Sequence, residues 1–333
     1  MPCPTCKPNR WPALATAIAL LFFLPSGSGG ASAAAPTARL DAGALHVVIA
    51  DNAAYGAEHK GGYHGVAELR LGSGDSKNLF VPNYSGLNLE HIFSGDAESF
   101  GWDIFEPRRA PMDLVRQSTN RVELRQERTV HWPLRSRLVF ASQDDALDLT
   151  YYGTPLADVW RKQGYVGVFF ASYIQSPDDM SLQFLGRSRP GHGGSQPRWI
   201  KHLPEQHGVA ASHRPAGSNW DPPVDPGFKL TLVTGNSEFE YLYPFYFGRS
   251  GENVLVLMFE RTRDEGELLF AQSPSGGGKG NPAWGFVYFR RHYAVNREFS
   301  FRVRAVYRKF TSVADVVRLY EQWSGETVPL PAP

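Results

Sequence analysis

The segment "FSFRVRAVYRKF", residues 299–310, constrains the fold more than any other part of the sequence. Apolar residues alternate there with polar or basic ones, and the apolar set is Phe299, Phe301, Val303, Ala305 and Tyr307. Only a β-strand separates alternate residues onto two opposite faces. One face is therefore predicted to be buried and the other solvated, as in an antiparallel sheet with one wet side.

Many other segments have strand character. The segment "GYVGVFFASYI", Gly164 to Ile174, is apolar at odd and even positions alike, which predicts a central strand covered on both faces. The remaining candidates are "LHVVIAD", "VAELRLG", "RVELRQE", "SRLVFAS", "ALDLTYYG", "KLTLVTG", "NVLVLMFER", "ELLFAQS" and "WGFVYFRRHYAV". No helical segments alternate with these strand candidates, which argues against a parallel α/β sheet. With 33 Gly and 25 Pro, the chain suits short strands joined by tight turns.

One helix is predicted near the C-terminus. Ser312 can cap it with Asp315 three residues on, and an apolar stripe follows at helical spacing. The stripe consists of Val313, Val316, Val317, Tyr320 and Trp323. The predicted fold class is therefore all-β, a large antiparallel β-sandwich with a short C-terminal helix.

The N-terminus has the layout of a secretory signal peptide. Lys7 and Arg10 precede an apolar run from Trp11 to Leu24, and small residues follow as far as "ASA". Cleavage after Ala33 would leave 300 of the 333 residues. The run is shorter than the roughly 20 residues that cross a bilayer, so we expect an exported or periplasmic protein with no membrane span.

Domain boundaries follow from these patterns. Residues 1–33 are predicted to be the signal peptide, 34–44 a flexible segment, 45–325 a single β-sandwich domain and 326–333 a tail. The only two cysteines, Cys3 and Cys6, fall in the signal region, so the mature chain has no disulfide and no thiolate metal site.

Charge and motifs exclude several functions. Removal of Lys7 and Arg10 changes the formal charge from +1 to −1, with both signs interspersed, so no nucleic-acid partner is expected. No phosphate-binding loop, dinucleotide fingerprint or G-x-S-x-G elbow is present, and no cofactor is predicted.

The segment "NYSGLNLEHIFSGD" places Glu90 beside His91. In a regular strand, Asn88 and Glu90 share one face while His91 faces the other way. Glu90, assisted by Asn88, is then a candidate sugar-binding or acid/base group, and His91 a second candidate catalytic residue. The alternative is structural, with His91 hydrogen-bonded inside an apolar layer. A bulge would change the assignment of faces.

A second candidate region is "GWDIFEPRRAP". Trp102 can stack on a sugar ring, carboxylates can bind hydroxyl groups, and a guanidinium can bind a carboxylate or sulfate. The predicted substrate-binding residues there are Trp102, Asp103, Glu106, Arg108 and Arg109. The alternative is a turn that contains exposed ion pairs of little energetic value.

Histidines cluster at His59 with His64, and at His202, His207 and His213. The spacings do not match a metal motif, and no metal site is predicted. His213 lies in the irregular region 188–227, and "RPAGSNWD" with Trp220 follows it. We therefore predict His213 as a catalytic proton carrier in a loop and Trp220 as a substrate-binding residue.

The all-β pattern, the aromatic and arginine-bearing strands and the length resemble the galactose mutarotase-like supersandwich over roughly Leu45 to Phe310. The resemblance implies a sheet that holds a sugar, with acid/base pairs of histidine and a carboxylate or tyrosine. The family's Asn-His followed by Asn-Leu is absent, since "YSGLNLEH" has Asn-Leu and then Glu-His, and no catalytic residue is transferred. "NLFVPNYSGLNLEHIFSGD" and "FEPRRAPM" are also similar to uncharacterised secreted bacterial proteins.

The function predicted on this basis is that of a secreted protein that acts on or binds a poly- or oligosaccharide, an acidic one among the candidates. If it is an enzyme, His/carboxylate chemistry suits a lyase, an epimerase or a glycosidase. One alternative is a non-catalytic carbohydrate-binding or envelope-associated module. A further alternative is a metal-dependent hydrolase built on the His202–His213 loop.

Overall fold

The computed structural model describes residues 36–54, 61–72, 76–261 and 266–331. The predicted signal peptide, both cysteines and His59 lie outside these ranges. Within them no helix is long and apolar enough to span a membrane.

Eighteen strands and two α-helices make up the described part of the chain. In order they are β1 (Thr37–Ala42), β2 (Leu45–Ala50), β3 (Gly65–Leu71), β4 (Asn88–Phe93), α1 (Glu106–Arg109), β5 (Asp113–Ser118), β6 (Arg121–Gln126), β7 (Leu134–Gln143), β8 (Ala146–Pro155), β9 (Tyr165–Ala171), β10 (Leu182–Ser188), β11 (Arg198–His202), β12 (Ser212–Pro215), β13 (Phe239–Tyr241), β14 (Phe245–Ser250), β15 (Asn253–Phe259), β16 (Gly266–Ser273), β17 (Ala283–Arg291), β18 (Phe299–Lys309) and α2 (Val313–Ser324).

The strands form one small and one large sheet. The small sheet has the order β1-β2-β3, and the large one runs β4-β9-β17-β16-β12-β13-β10-β14-β15-β18-β8-β7-β6-β5, with β11 on β10. Pairing in the described sheets is antiparallel except between β12 and β13. The predicted all-β class, with a large antiparallel sandwich and a short C-terminal helix, is confirmed.

The large sheet folds back on itself to give two layers. Strands β4, β9, β17, β16 and β12 form the first layer, and β10 with β13–β15, β18 and β8–β5 form the second. Rings from both layers meet in the core between them, as Phe170 of β9 and Phe286 of β17 do with Phe301 of β18, at centroid distances of 5.7 and 5.9 Å. Burial of such large rings supplies most of the driving force for the fold.

The sequence patterns explain these elements. In β18 the alternate residues from Phe299 to Tyr307 are buried, as predicted, and Arg302 and Arg304 pair with Asp148 of β8 on the other face. Strand β9 is buried at every position and lies between β4 and β17. Its position confirms the central strand predicted from its uniformly apolar sequence.

The C-terminal helix is confirmed together with its cap. The Ser312 side chain accepts a hydrogen bond from the Asp315 backbone N–H at 3.1 Å, and the helix packs Val316, Val317 and Tyr320 against the outer face of the second layer. The helix ends at Ser324, and the capping residue Gly325 adopts the left-handed conformation that favours glycine (φ 74°).

Two predictions of local structure are wrong. Residues 37–42, expected to be flexible, form β1, because Ala38, Leu40 and Ala42 alternate and bury against the core. The segment "KLTLVTG" contains a 3₁₀ turn, Thr231–Val233, in place of a strand. Its apolar residues pack on the first layer as part of a covering loop.

The first layer has a second apolar surface on the side away from the core. Phe93, Phe169, Val287 and Phe289 project from its strands there, and partly buried loop residues cover them. Those loop residues are Tyr63, Val81, Tyr84, Phe100, Trp220 and Phe228. We call this side the loop-covered face, and Glu90, His91 and Trp220 lie on it.

Candidate functional site

A β-bulge in β4 sets the geometry of the candidate site. Leu89 opposes Phe170 of β9, but His91 opposes Phe169, so Glu90 is an extra residue in the pairing. Phe170 belongs to the core, whereas Phe169 belongs to the loop-covered face. A bulge reverses the alternation at one point and re-aims a side chain.

Glu90 and His91 consequently share the loop-covered face. Glu90 Oε1 lies 3.9 Å from His91 Nε2, and its other oxygen accepts a hydrogen bond from Tyr173. The assignment of these two residues to opposite faces, which follows from regular alternation, is therefore wrong.

Glu90 is held by Tyr173 and Arg108 in a buried environment. The Tyr173 hydroxyl donates a hydrogen bond to Oε2, and Arg108 Nη1 lies 3.7 Å from Oε1. Only 6% of Glu90 and 5% of Arg108 is exposed. Burial, followed by the Glu90 charge, raises the pKa of Tyr173 well above its ordinary value. Tyr173 is therefore a neutral hydrogen-bond donor to a carboxylate.

Three tyrosines surround this pair. Tyr63 and Tyr84 stack at 4.5 Å between ring centroids, and Tyr173 meets both rings edge-on, at 5.2 and 5.0 Å. The Arg108 guanidinium lies 4.1 Å from the Tyr63 centroid. Tyr63 and Tyr84 keep part of their surface open to solvent. We call Tyr63, Tyr84, Glu90, Arg108 and Tyr173 the tyrosine–glutamate site.

Gly62 lets the backbone next to Tyr63 lie directly against the backbone of Arg108. Its φ of 61° is in the left-handed region, and an added Cβ would lie 1.8 Å from the carbonyl oxygen of Arg108. Only glycine allows the chain to pass so close to α1.

His91 and Asn88 have structural surroundings. The His91 ring packs on Phe105 and Phe169, and Nδ1 lies 2.5 Å from the carbonyl oxygen of Ile104. Burial lowers the pKa of His91, so the ring is neutral and donates from Nδ1. Asn88 Oδ1 accepts a hydrogen bond from the His64 backbone N–H at 3.3 Å. This matches the structural alternative weighed for His91.

Of the three histidines at 202, 207 and 213, the first and last pack together and His207 lies apart from them. His213 lies in β12, fully buried beside Phe184 and His202, with ring centroids 4.6 and 4.8 Å away. Burial lowers its pKa well below the ordinary value. The prediction that His213 lies in an open loop is therefore wrong, because its ring faces the core and cannot meet a ligand.

His207, in contrast, is exposed beside the loop-covered face. Its Nδ1 lies 3.0 Å from the Ser273 hydroxyl at the end of β16. Burial is the main cause of the lowered pKa of His91, and the nearby Arg108 and His207 lower it further. Among the described residues no three His, Cys, Asp or Glu side chains are grouped for a metal ion.

Trp220 lies on the loop-covered face, apart from His213. Its ring meets Tyr165 and Phe289 edge-on, at 5.7 and 5.1 Å, and Arg291 lies 5.3 Å from its centroid. Trp220 thus covers the apolar layer with one part of its ring and keeps another part exposed.

The residues of "GWDIFEPRRAP" divide between two sides of α1. Arg108 points to Glu90, whereas Arg109 pairs with Asp103. Glu106 is buried and accepts hydrogen bonds from Thr129 and His131. Trp102 stacks on the His131 ring at 4.5 Å. One cavity of about 490 Å³ contains Asp103, Glu106 and Arg109 in its lining.

Sequence reasoning missed Tyr63, Tyr84, Tyr173 and His131. Tyr173 lies 83 positions from Glu90 in the chain, and no motif spacing connects them. The one available signal was "VHWPL", where His131 is next to Trp132 in a short segment between two strands.

No family model and no curated protein matches the sequence. Solved structures match at low identity. A galactose mutarotase related enzyme from Lactobacillus acidophilus has a TM-score of 0.41 and 8% identity, with 83% of this chain and 98% of that chain covered. A galactose mutarotase-like protein from Lactobacillus casei has a TM-score of 0.42 and 10% identity, with 82% and 100% covered.

A heparan sulfate lyase from Pedobacter heparinus has a TM-score of 0.42 and 10% identity, with 84% of this chain and 36% of that chain covered. The chain is thus similar in architecture to galactose mutarotase-like proteins, at identities of 8–10%.

Proposed function

We propose that the tyrosine–glutamate site binds a carbohydrate ring, and that Glu90 and Tyr173 exchange protons with it. The observation that carries the proposal is the hydrogen bond from Tyr173 to the buried Glu90 beside the Tyr63–Tyr84 stack. A sugar has a C–H face that packs on aromatic rings and hydroxyl groups that need charged or polar partners. Both kinds of group are present here within one site.

The chemistry follows from the charge states. Glu90 is the acceptor, and Tyr173 is the donor because its raised pKa keeps the phenol protonated. Arg108 balances the carboxylate charge from 3.7 Å. His207 is exposed beside the loop-covered face, with its Nδ1 3.0 Å from the Ser273 hydroxyl. These roles suit a lyase, an epimerase or a glycosidase.

A non-catalytic binding role is a second candidate, favoured by one observation. Glu90 and Arg108 are almost wholly buried, so a sugar on the tyrosines would contact Glu90 only at its edge. In this case Glu90 holds Tyr173 and Arg108 in place, and the rings alone bind the ligand.

Binding and turnover on neutral, uronic and sulfated oligosaccharides test both roles. Replacement of Tyr63 and Tyr84 by alanine should abolish binding in either case, while Tyr152→Ala, in the second layer, serves as the control. Glu90→Gln should abolish turnover and keep binding if the protein is an enzyme. A protein that binds and converts none of the panel would refute the proposal.

We also propose that the protein is exported, on the signal-peptide pattern in residues 1–33. Determination of the N-terminal residue of protein recovered from the periplasm or medium tests this. A chain that begins at Met1 and stays in the cytoplasm would contradict it.

A further inference from the structure

A buried glutamate and a partly exposed histidine form a pair on the side of α1 away from Glu90. Glu106 is 5% exposed, and its carboxylate accepts from the Thr129 hydroxyl, from the His131 backbone N–H at 3.1 Å and from His131 Nδ1. A carboxylate that accepts from Nδ1 fixes the proton on that nitrogen and stabilises the imidazolium.

The second ring nitrogen of His131 is thereby left for a ligand. Nε2 makes no hydrogen bond to a residue in the described ranges, the side chain is 37% exposed, and His131 contributes to the lining of the 490 Å³ cavity. Trp102 covers one face of the ring, with an angle of 13° between the planes. The stack and the Glu106 contacts hold the imidazole in one orientation.

Among the charged residues that line the cavity, Arg128 is the one cation with no ion-pair partner in the described ranges. Arg109 pairs with Asp103, and Glu106 is enclosed by its three donors. Arg128 has no ion pair within the described part of the chain; its Nε donates to the Thr129 carbonyl oxygen at 3.4 Å. A single negative charge in the cavity would therefore face Arg128 and, when protonated, His131.

The remaining wall is apolar. Ala110, Pro111 and Val130 contribute to the lining, and Val130 is 76% exposed. An exposed valine beside an unpaired arginine suits a ligand that has an apolar surface next to its charged group.

We propose that this cavity binds an organic carboxylate, with its anionic group between Arg128 and His131 Nε2 and its apolar face on Pro111 and Val130. The proposal is independent of the carbohydrate site, because it uses none of the tyrosine–glutamate residues. Protonated His131 donates from Nε2 to the carboxylate, and Arg128 supplies the second positive charge.

Nuclear magnetic resonance of the full chain with 15N-labelled histidine tests the proposal. The probes are galacturonate, a sugar acid; benzoate, an aryl acid; and galactose, a neutral control. Without ligand, His131 should carry its neutral-state proton on Nδ1. With an acid, the ring-nitrogen signals of His131 should shift, and with galactose they should stay unchanged.

Variants locate the site. Arg128→Gln should weaken acid binding about tenfold or more, as a lost charge-assisted contact does. Arg135→Gln, an exposed arginine that pairs with the exposed Glu127, should leave it unchanged. The stronger of the two acids identifies the ligand type. Unchanged His131 signals with both acids, equal binding of galactose, or wild-type affinity in Arg128→Gln would overturn the proposal.

Discussion

The contact between Tyr173 and Glu90 allows a quantitative test of the candidate site. Tyr173→Phe removes one hydroxyl and keeps the ring edges against Tyr63 and Tyr84. Among the described residues, Glu90 then keeps only Arg108 at 3.7 Å and His91 at 3.9 Å, both beyond hydrogen-bond length. Hydrogen bonds to charged groups contribute about 1.5–3 kcal/mol, so we expect the free energy of unfolding to fall by about 2 kcal/mol.

The measurement is urea unfolding near neutral pH, with the transition midpoint read at unchanged slope. Tyr151→Phe is the matched control, since Tyr151 is also fully buried and its hydroxyl lies 2.9 Å from the neutral Ser136 hydroxyl. A bond between neutral groups contributes about 1 kcal/mol. Tyr173→Phe should therefore cost about twice as much as the control.

A double-mutant cycle with Glu90→Gln separates the pair from its surroundings. Glu90→Gln alone leaves Arg108 buried without a carboxylate, which should cost about 3 kcal/mol. The coupling energy between positions 90 and 173 should be about 1–3 kcal/mol, as for residues that share one hydrogen bond. A coupling below about 0.5 kcal/mol, or equal costs for Tyr173→Phe and Tyr151→Phe, would refute the described contact.

Four further outcomes follow from single features. Gly62→Ala should lower the free energy of unfolding by about 2 kcal/mol in urea, because it strains a left-handed residue against the Arg108 carbonyl. The wild type should lose stability above about pH 10, where the unfolded tyrosine ionises and the buried Tyr173 does not, and Tyr173→Phe should reduce this loss in alkaline melts. Stability should also fall below about pH 6.5, where unfolded histidine gains a proton that buried His213 resists, and His213→Phe should flatten this slope in acid melts. Ser312→Ala should cost about 1 kcal/mol in thermal or urea unfolding through loss of the helix cap.

Much of the fold could be predicted because burial on one face of a strand leaves a period-two pattern. Strand β18 and helix α2 show their period in the sequence, and both formed as expected. The segment at 229–235 shows the limit of this reasoning. Leu230 and Leu232 alternate with polar residues, yet they are buried by a loop that lies on the first layer. Alternation reports which residues are buried, and a loop can bury them as well as a sheet does.

The candidate site was harder to predict because it is assembled from distant parts of the chain. The sequence drew attention to Glu90, but Tyr173 lies two residues after β9 and Arg108 lies in α1. The residues that hold Glu90 are therefore defined by strand pairing and loop packing. His213 illustrates the reverse error, since its Gly- and Pro-rich surroundings indicated a loop while β12 carries it into the core.

The bulge at Glu90 explains why the faces of the candidate residues could not be predicted. Leu89 opposes Phe170 and faces the core, so regular pairing from that point would leave Glu90 on the loop-covered face and turn His91 into the core. A polar ring there would lose its partner and carry a desolvation cost. One extra residue turns His91 to the loop-covered face instead, where its Nδ1 lies 2.5 Å from the Ile104 carbonyl oxygen and its Nε2 lies 3.9 Å from Glu90. The cost of an unpaired buried imidazole thus favours the bulged register over the regular one, and the same bulge brings His91 beside the acceptor on which the proposed sugar site depends. Local strand geometry and site chemistry are therefore set by a single backbone irregularity that the alternation pattern does not encode.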